Sequence, residues 1–336
     1  MSKPIFEKKN VLVTGGAGFI GSHLCEKLLK EAKVICLDDL SNSSPRNIDH
    51  LLQYADFEFI KHDINAPFHP DDFPELEKFK VGFQGLQEIY HLACPTSAKN
   101  FNDFRIQTLD ANSLAMKNTL ELAVKYSAKY LFASSAVVYG PASVDGKKIS
   151  EDYQGITNQL SPRANYDEGK RFAETSVETY RQVYDLDAKI ARIFRTYGPR
   201  LKLYDGQMIT DFVIQALDGQ DLIIYGDESF TTSLTYVMDI VDGLLRLMKA
   251  PPGVGPVNFG SDEAVKLADV AAMIVKMMDS KSKVRFEAPI QFMTPLALPD
   301  LSKARDLLGW LPLVRLEDGL RKTIDYSIAH KSALEM

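Results

Sequence analysis

The stretch Val11-Leu12-Val13-Thr14-Gly15-Gly16-Ala17-Gly18-Phe19-Ile20-Gly21, running on into Ser22-His23-Leu24, decides the fold. An apolar run ends in a glycine cluster, and an amphipathic pattern begins inside that cluster. This predicts a strand, a tight turn and a helix. Glycines 15, 18 and 21 follow the spacing G-x-x-G-x-x-G. The first lets the chain turn at unusual φ, the second lets backbone approach a ligand, and the third lets helix and strand pack closely. The N–H groups of the helix's first turn, among them Phe19 and Ile20, then face an anion such as a pyrophosphate. A glycine triplet alone also fits a turn with no ligand, so the rest of the chain has to supply the meaning.

The apolar run 34–37 ends in Asp38-Asp39. That is about 20 residues beyond the turn, where a carboxylate accepts hydrogen bonds from ribose hydroxyls and repels a 2′-phosphate. NAD is favoured over NADP, with Asp38 the first candidate and Asp39 the alternative. Ser43, Ser44 and Arg46 offer a competing phosphate site. Further strands are predicted over 57–60, 88–93 and 130–133. An irregular excursion and a helix lie between 67 and 85, and another helix covers 112–126. Strands alternating with helices predict a Rossmann-type, doubly wound parallel sheet in an α/β protein. Ligands of such a sheet lie beyond the carboxyl ends of its strands. The glycine turn, Asp38, Asp63, Ala93 and Ser135 all fall there.

Tyr166 and Lys170 are four apart in Asn165-Tyr166-Asp167-Glu168-Gly169-Lys170, so on a helix they share a face. A free tyrosine titrates near 10. A neighbouring ammonium, together with a cationic nicotinamide, would pull that value toward neutrality. Tyr166 then takes a proton from a sugar hydroxyl while hydride leaves the same carbon, and Ser135 holds that hydroxyl.

A strand over 188–194 leads into Gly198-Pro199, where the texture changes. Helices are expected over 208–217, 239–249 and 267–278, and short strands over 222–225, 234–237, 257–259 and 284–286. A further helix starts at Ser302 as its cap, and a short polar tail follows Tyr326. A smaller, discontinuous C-terminal substrate domain is the expectation. Residues 1–197 with about 233–261 would bind the cofactor, and 198–232 with 262–330 the substrate.

Bulk properties narrow the function classes. The chain has 336 residues, 45% hydrophobic and 25% charged, which suits an ordinary globular protein. A net charge of −6 with no basic run argues against nucleic acid. No apolar stretch approaches the roughly 20 residues of a membrane span, and the first ten residues hold no signal-peptide core. Cys25, Cys36 and Cys94 are scattered, which fits reduced thiols and a cytoplasmic setting. No histidine spacing indicates a metal.

With these residues in place, nearly the whole chain resembles the extended short-chain dehydrogenase/reductases that act on nucleotide sugars. It is most similar to the branch of the UDP-glucuronate decarboxylases, which make UDP-xylose. The matching stretches are Val11 to Leu24, Asp38 to Asn47, His91 to Ser97, Ser150 to Tyr153, Ser161 to Arg171, Gly198-Pro199-Arg200 and Leu308-Gly309-Trp310. The resemblance implies bound NAD, transient oxidation of the sugar at C4, and a homodimer joined through a helix bundle. It places Gly15, Gly18, Phe19, Ile20, Gly21, Asp38, Asn42, Asp63, Ile64, Leu92, Ala93, Tyr166 and Lys170 at the cofactor. Pro95, Ser97, Val137, Arg195, Arg200, Gln207 and Thr232 fall at the substrate.

The departures concern the substrate. The decarboxylases carry a glutamate two residues after the catalytic Ser/Thr, and here that position is Val137. Family arginines are replaced by Gln207, Thr232 and Ala297, while a family asparagine is replaced by Arg195. Losing guanidiniums removes bidentate anchors for phosphate. Either Arg195, Arg200 and nearby lysines grip a repositioned substrate, or the substrate is not an ordinary UDP-sugar; the plainer reading of Arg195 is a pair with a carboxylate of the protein. Three readings stay open: a decarboxylase, a nucleotide-sugar 4-epimerase, and an NAD-binding regulatory protein without catalysis. The second is favoured by Ser135-Ala136-Val137-Val138-Tyr139-Gly140, which is similar to the UDP-galactose 4-epimerase pattern.

Overall fold

The computed structural model describes residues 8–96, 102–141, 148–203, 205–288 and 296–334. Six strands of the main sheet are β1 (Lys9–Thr14), β2 (Ala32–Asp38), β3 (Phe57–Lys61), β4 (Glu88–His91), β5 (Lys129–Ser135) and β6 (Ala188–Ile193). The seventh is Val257–Phe259. Across the sheet the order is Val257–Phe259, β6, β5, β4, β1, β2, β3. All pairings in it are parallel. The order reverses between β1 and β4, and a doubly wound sheet opens its ligand crevice at such a reversal.

The helices of this half are α1 (Phe19–Leu28), α2 (Val81–Gln84), α3 (Arg105–Ala111), α4 (Leu114–Tyr126) and α5 (Ala164–Tyr184). Side chains alternate across β1, so Val11 and Val13 join one apolar cluster and Leu12 the other. The first cluster takes in Leu24 of α1 and Leu244 of the helix Val237–Lys249. The second takes in Leu120 of α4 and Val177 of α5. A smaller lobe gathers the helices Met208–Leu217 and Leu267–Met277 with the parallel pair Leu222–Tyr225 and Val284–Glu287. Phe212, Ile224, Ile274, Leu320 and Ile324 form its core.

Several local expectations change. β4 stops at His91: Leu92 N still bonds Thr14 O at 3.1 Å, but the neighbouring β1 ends at Thr14, where Gly15 turns at φ 70°. α3 is a separate helix before α4. Only Thr235–Tyr236 pair as a strand, and a helix begins at once with Val237. Ser302 lies inside its helix rather than at the cap; its N–H donates to Asp300 Oδ1 at 2.8 Å. The polar tail after Tyr326 is part of a helix, Leu316–Leu334. Its polar Thr323 and Ser327 are buried beside Leu320 and Ile324, which hid the apolar stripe from a hydrophobicity count. Among the described residues, no helix is long and apolar enough to cross a membrane.

Candidate functional site

One cavity of about 890 Å³ opens at the carboxyl ends of the strands. The glycine turn forms its first wall. Gly15 takes φ 70° and its N–H donates to Leu37 O at 2.8 Å, tying the turn to β2. A Cβ on Gly15 would lie 2.8 Å from Ala93 N, and one on Gly21 only 2.1 Å from Gly15 O. The turn is therefore closed to any side chain at both positions. α1 starts at Phe19 with no side-chain cap. The N–H groups of its first turn have no intrahelical acceptors.

Asp38 is buried at the end of β2. It accepts from Ala17 N (3.0 Å), Leu40 N (2.9 Å) and Ser43 Oγ (2.6 Å), so it also braces the turn. Burial pushes its pKa up, and those three bonds counter only part of the push. Asp39 is exposed and bonds Ser41. Asn42, Asp63, Ile64, Leu92 and Ala93 line the same cavity. Uncapped helix N–H groups, a wall without side chains and a buried carboxylate at the next strand end fit a dinucleotide.

At the other end, β5 delivers Ser135 and α5 delivers Tyr166 and Lys170 from one face. All three line the cavity, and Ser135 Oγ accepts from Val137 N at 3.4 Å. Lys170 Nζ donates to Ala133 O at 3.0 Å and sits 4.6 Å above the Phe132 ring. Its distance to the Tyr166 ring centroid is 5.8 Å. The expected fall in the tyrosine pKa is not what the protein alone produces. Desolvation pushes Tyr166 up, with Cys94 adding to the rise, while Ser135 and the charge of Arg163 pull it down. Burial likewise lowers the Lys170 pKa. Asn112 donates to Cys94 Sγ (3.4 Å) and to Thr108 O (2.8 Å), packing α3 and α4 against Gly169 of α5.

Pro95, Val137, Arg195, Arg200 and Gln207, the residues expected at the substrate, line the same cavity. Ser97 lies outside the described residues. Thr232 is buried, is not part of the cavity wall, and donates to Ser233 O at 3.3 Å. Ala297 packs against the cluster of Ala136 and Phe194. Gln207 donates to Thr96 O at 3.4 Å. Arg200 pairs with Glu26 at 2.5 Å, although its Nη1 is buried without a partner. Arg195 pairs with no carboxylate among the described residues; its Nη1 reaches only the Met208 sulfur, 4.0 Å away. Burial and the nearby charge of Arg163 lower its pKa to about 10.

Arg163 is a cavity residue to which the sequence had assigned no role. It lies three positions before Tyr166, one helical turn, and its Cζ is 5.9 Å from the Tyr166 ring. That spacing was the available signal. No group of three or more metal-ligating side chains occurs among the described residues.

Residues 11–260 match the model of the NAD dependent epimerase/dehydratase family. A UDP-glucuronic acid decarboxylase 1 of Danio rerio is 38% identical over 321 residues, spanning 95% of this chain and 73% of that protein. Among solved structures, an epimerase from Methanothermobacter thermautotrophicus has TM-score 0.85 at 28% identity, covering 99% of this chain and 98% of that one. A UDP-glucuronic acid 4-epimerase from Bacillus cereus, solved with UDP-glucuronic acid and NAD, has TM-score 0.83 at 27% identity, with 95% and 99% covered.

Proposed function

The chain belongs to the NAD dependent epimerase/dehydratase family and is a nucleotide-sugar-modifying enzyme, and from that premise we propose that it epimerises its sugar at C4 through transient oxidation. The observation that carries this is that Ser135, Tyr166 and Lys170 meet at the far end of the glycine-walled cavity, with valine at 137. NAD, when bound, supplies the acceptor and later the donor of a hydride.

In this reading Gly15, Gly18, Phe19, Ile20 and Gly21 hold the pyrophosphate and Asp38 the ribose. Asn42, Asp63, Ile64, Leu92 and Ala93 form the rest of the cofactor wall. Ser135 orients the C4 hydroxyl, and Tyr166 takes its proton as the C4–H bond gives up hydride. Lys170, with the positive charge of the cofactor, offsets the desolvation that keeps the phenol protonated. Once the sugar has turned its other face, Tyr166 returns the proton as hydride comes back. Residues 1–197 with about 233–261 serve the cofactor, and 198–232 with 262–330 serve the substrate. Pro95, Val137, Arg195, Arg200 and Gln207 contact the substrate.

Epimerisation asks nothing of position 137. Decarboxylation through an acid at that position has no group to use, because valine neither gives nor takes a proton. The 38% identity to a decarboxylase favours that second reading. Incubating the NAD-loaded protein with UDP-glucuronate separates them. UDP-galacturonate without carbon dioxide is the expected result; carbon dioxide with a UDP-pentose overturns it. If Tyr166→Phe leaves every measured activity of the pure protein unchanged, catalysis through this site is untenable.

A further inference from the structure

Ser135 of β5 lies in register with Ile193 of β6. Two residues past that pair, position 137 lies in the 3-10 turn Ala136–Tyr139 that follows β5, and position 195 lies in the segment that leaves β6. Both line the cavity. At 137 stands a buried valine and at 195 an arginine whose side chain, among the described residues, bonds only the Met208 sulfur through Nη1 at 4.0 Å. Thr235 N holds the Arg195 carbonyl at 3.0 Å, which fixes the backbone from which the guanidinium projects.

A second guanidinium, Arg163, lies close enough for its charge to act on Arg195, and close to the Tyr166 ring. Arg163 is itself paired with Asp167 at 3.3 Å. A desolvated guanidinium beside a like charge is a costly arrangement, and an arginine does not relieve it by losing its proton. It is relieved by an anion, and a carboxylate matches the planar fork of the guanidinium. The group that brings it has to sit where a sugar presents its C4 hydroxyl to Tyr166.

Resting on the reading above, we propose that Arg195 is the specificity-determining residue that selects a sugar carrying its own carboxylate over a neutral sugar. Arg195 holds that carboxylate in the cavity that Val137 also lines. It acts on the sugar, not on the diphosphate. A carboxylate held by a guanidinium is stabilised as the anion, which also favours its retention while C4 is oxidised.

The test measures binding rather than turnover, so it stands whether or not epimerisation is found. Calorimetric Kd values of the NAD-loaded protein are compared for UDP-glucuronate, UDP-glucose and UDP. The native protein is expected to prefer UDP-glucuronate to UDP-glucose by about tenfold or more, as for a charge-assisted hydrogen bond. Arg195→Gln should bring the two sugars within about twofold while leaving UDP binding unchanged. Arg195→Lys should restore part of the preference, because it keeps the charge and loses the fork. Unchanged NAD affinity in each variant reports an intact fold. An equal loss for all three ligands assigns Arg195 to the diphosphate and overturns the proposal. The absence of any preference in the native protein, whether all or none of the three bind, overturns it as well.

Discussion

Around Gly15–Gly21 the cavity wall is backbone, whereas around Arg195 it is long side chains drawn from segments far apart in sequence. The glycine turn tolerates no Cβ at Gly15 or Gly21. Its shape is therefore written in one short stretch. The far wall takes Val137 from the end of β5, Arg163 from the approach to α5, Arg195 from beyond β6, and Gln207 from before the helix Met208–Leu217. Backbone geometry is expensive to alter, and side chains exchange freely. On the proposed reading, the difference separates a cofactor end of fixed chemistry from a substrate end that can change its ligand without changing the fold.

The largest effect should come from breaking the backbone end. In Gly21→Val the new Cβ would meet Gly15 O at 2.1 Å, and a backbone oxygen cannot swing aside. Overpacking of this kind costs about 3 kcal/mol. NAD affinity should fall by roughly 100-fold, the equivalent of that energy, with a lower unfolding midpoint. Gln207→Ala, at the other end, should leave NAD affinity untouched. Calorimetry with NAD on both variants checks the contrast, and equal losses would erase it.

Next comes the junction of the two ends. Tyr166→Phe removes the phenol that exchanges the proton and should lower kcat by roughly 10²–10⁴. NAD binding should hardly move. Burial favours the protonated phenol, so the native rate should rise with pH as the base form is populated. The residual rate of the Phe variant should lose that rise. A pH profile unchanged in shape would move the base elsewhere.

The two ends were not equally legible. The glycine spacing, the Asp38 position and the Tyr166–Lys170 spacing are local patterns, and each maps onto one strand end or helix face. Arg195 and Val137, more than fifty residues apart in sequence, come to one cavity only because β5 and β6 pair and end together. Thr232 stood in the expected substrate set, yet it turns inward to Ser233 O. The effect of Lys170 on Tyr166 was also beyond the sequence. Spacing puts the two on one face, but the ammonium bonds Ala133 O, and desolvation sets the direction of the tyrosine shift. The helix Leu316–Leu334 was hidden because buried Thr323 and Ser327 interrupt its apolar pattern.

A smaller effect probes the side-chain end by refilling it. Val137→Glu places a carboxylate in the cavity that Arg195 also lines, in the position the resemblance leads one to expect. The new pair should quench the guanidinium and abolish the roughly tenfold preference for the acidic sugar. Adding Arg195→Asn to Val137→Glu leaves the new carboxylate without its partner. If the glutamate then serves as an acid, carbon dioxide should appear from UDP-glucuronate with the double variant and not with the native protein. The single variant keeping its preference for the acidic sugar would mean that positions 137 and 195 do not communicate.

The smallest effect lies in the seam between the ends. His23 belongs to α1, and its Nε2 meets Pro199 O at 3.0 Å, so the cofactor helix is tied directly to the Gly198-Pro199-Arg200 turn. Burial, helped by the charge of Arg200, lowers its pKa to about 4. An unfolded histidine titrates near 6.5. Between these values the unfolded chain takes up a proton that the folded chain refuses. The stabilisation is therefore complete above about pH 6.5 and is lost as the pH falls toward 4. At pH 5 that loss is about 2 kcal/mol. His23→Gln keeps a donor for Pro199 O but cannot titrate, so its stability should fall less between pH 7.5 and 5. Urea unfolding of both proteins at the two pH values measures the difference. Equal falls would show that His23 does not govern the acid response of the seam. A larger fall in the native protein would make this one hydrogen bond the point where acid first loosens the substrate end from the cofactor end.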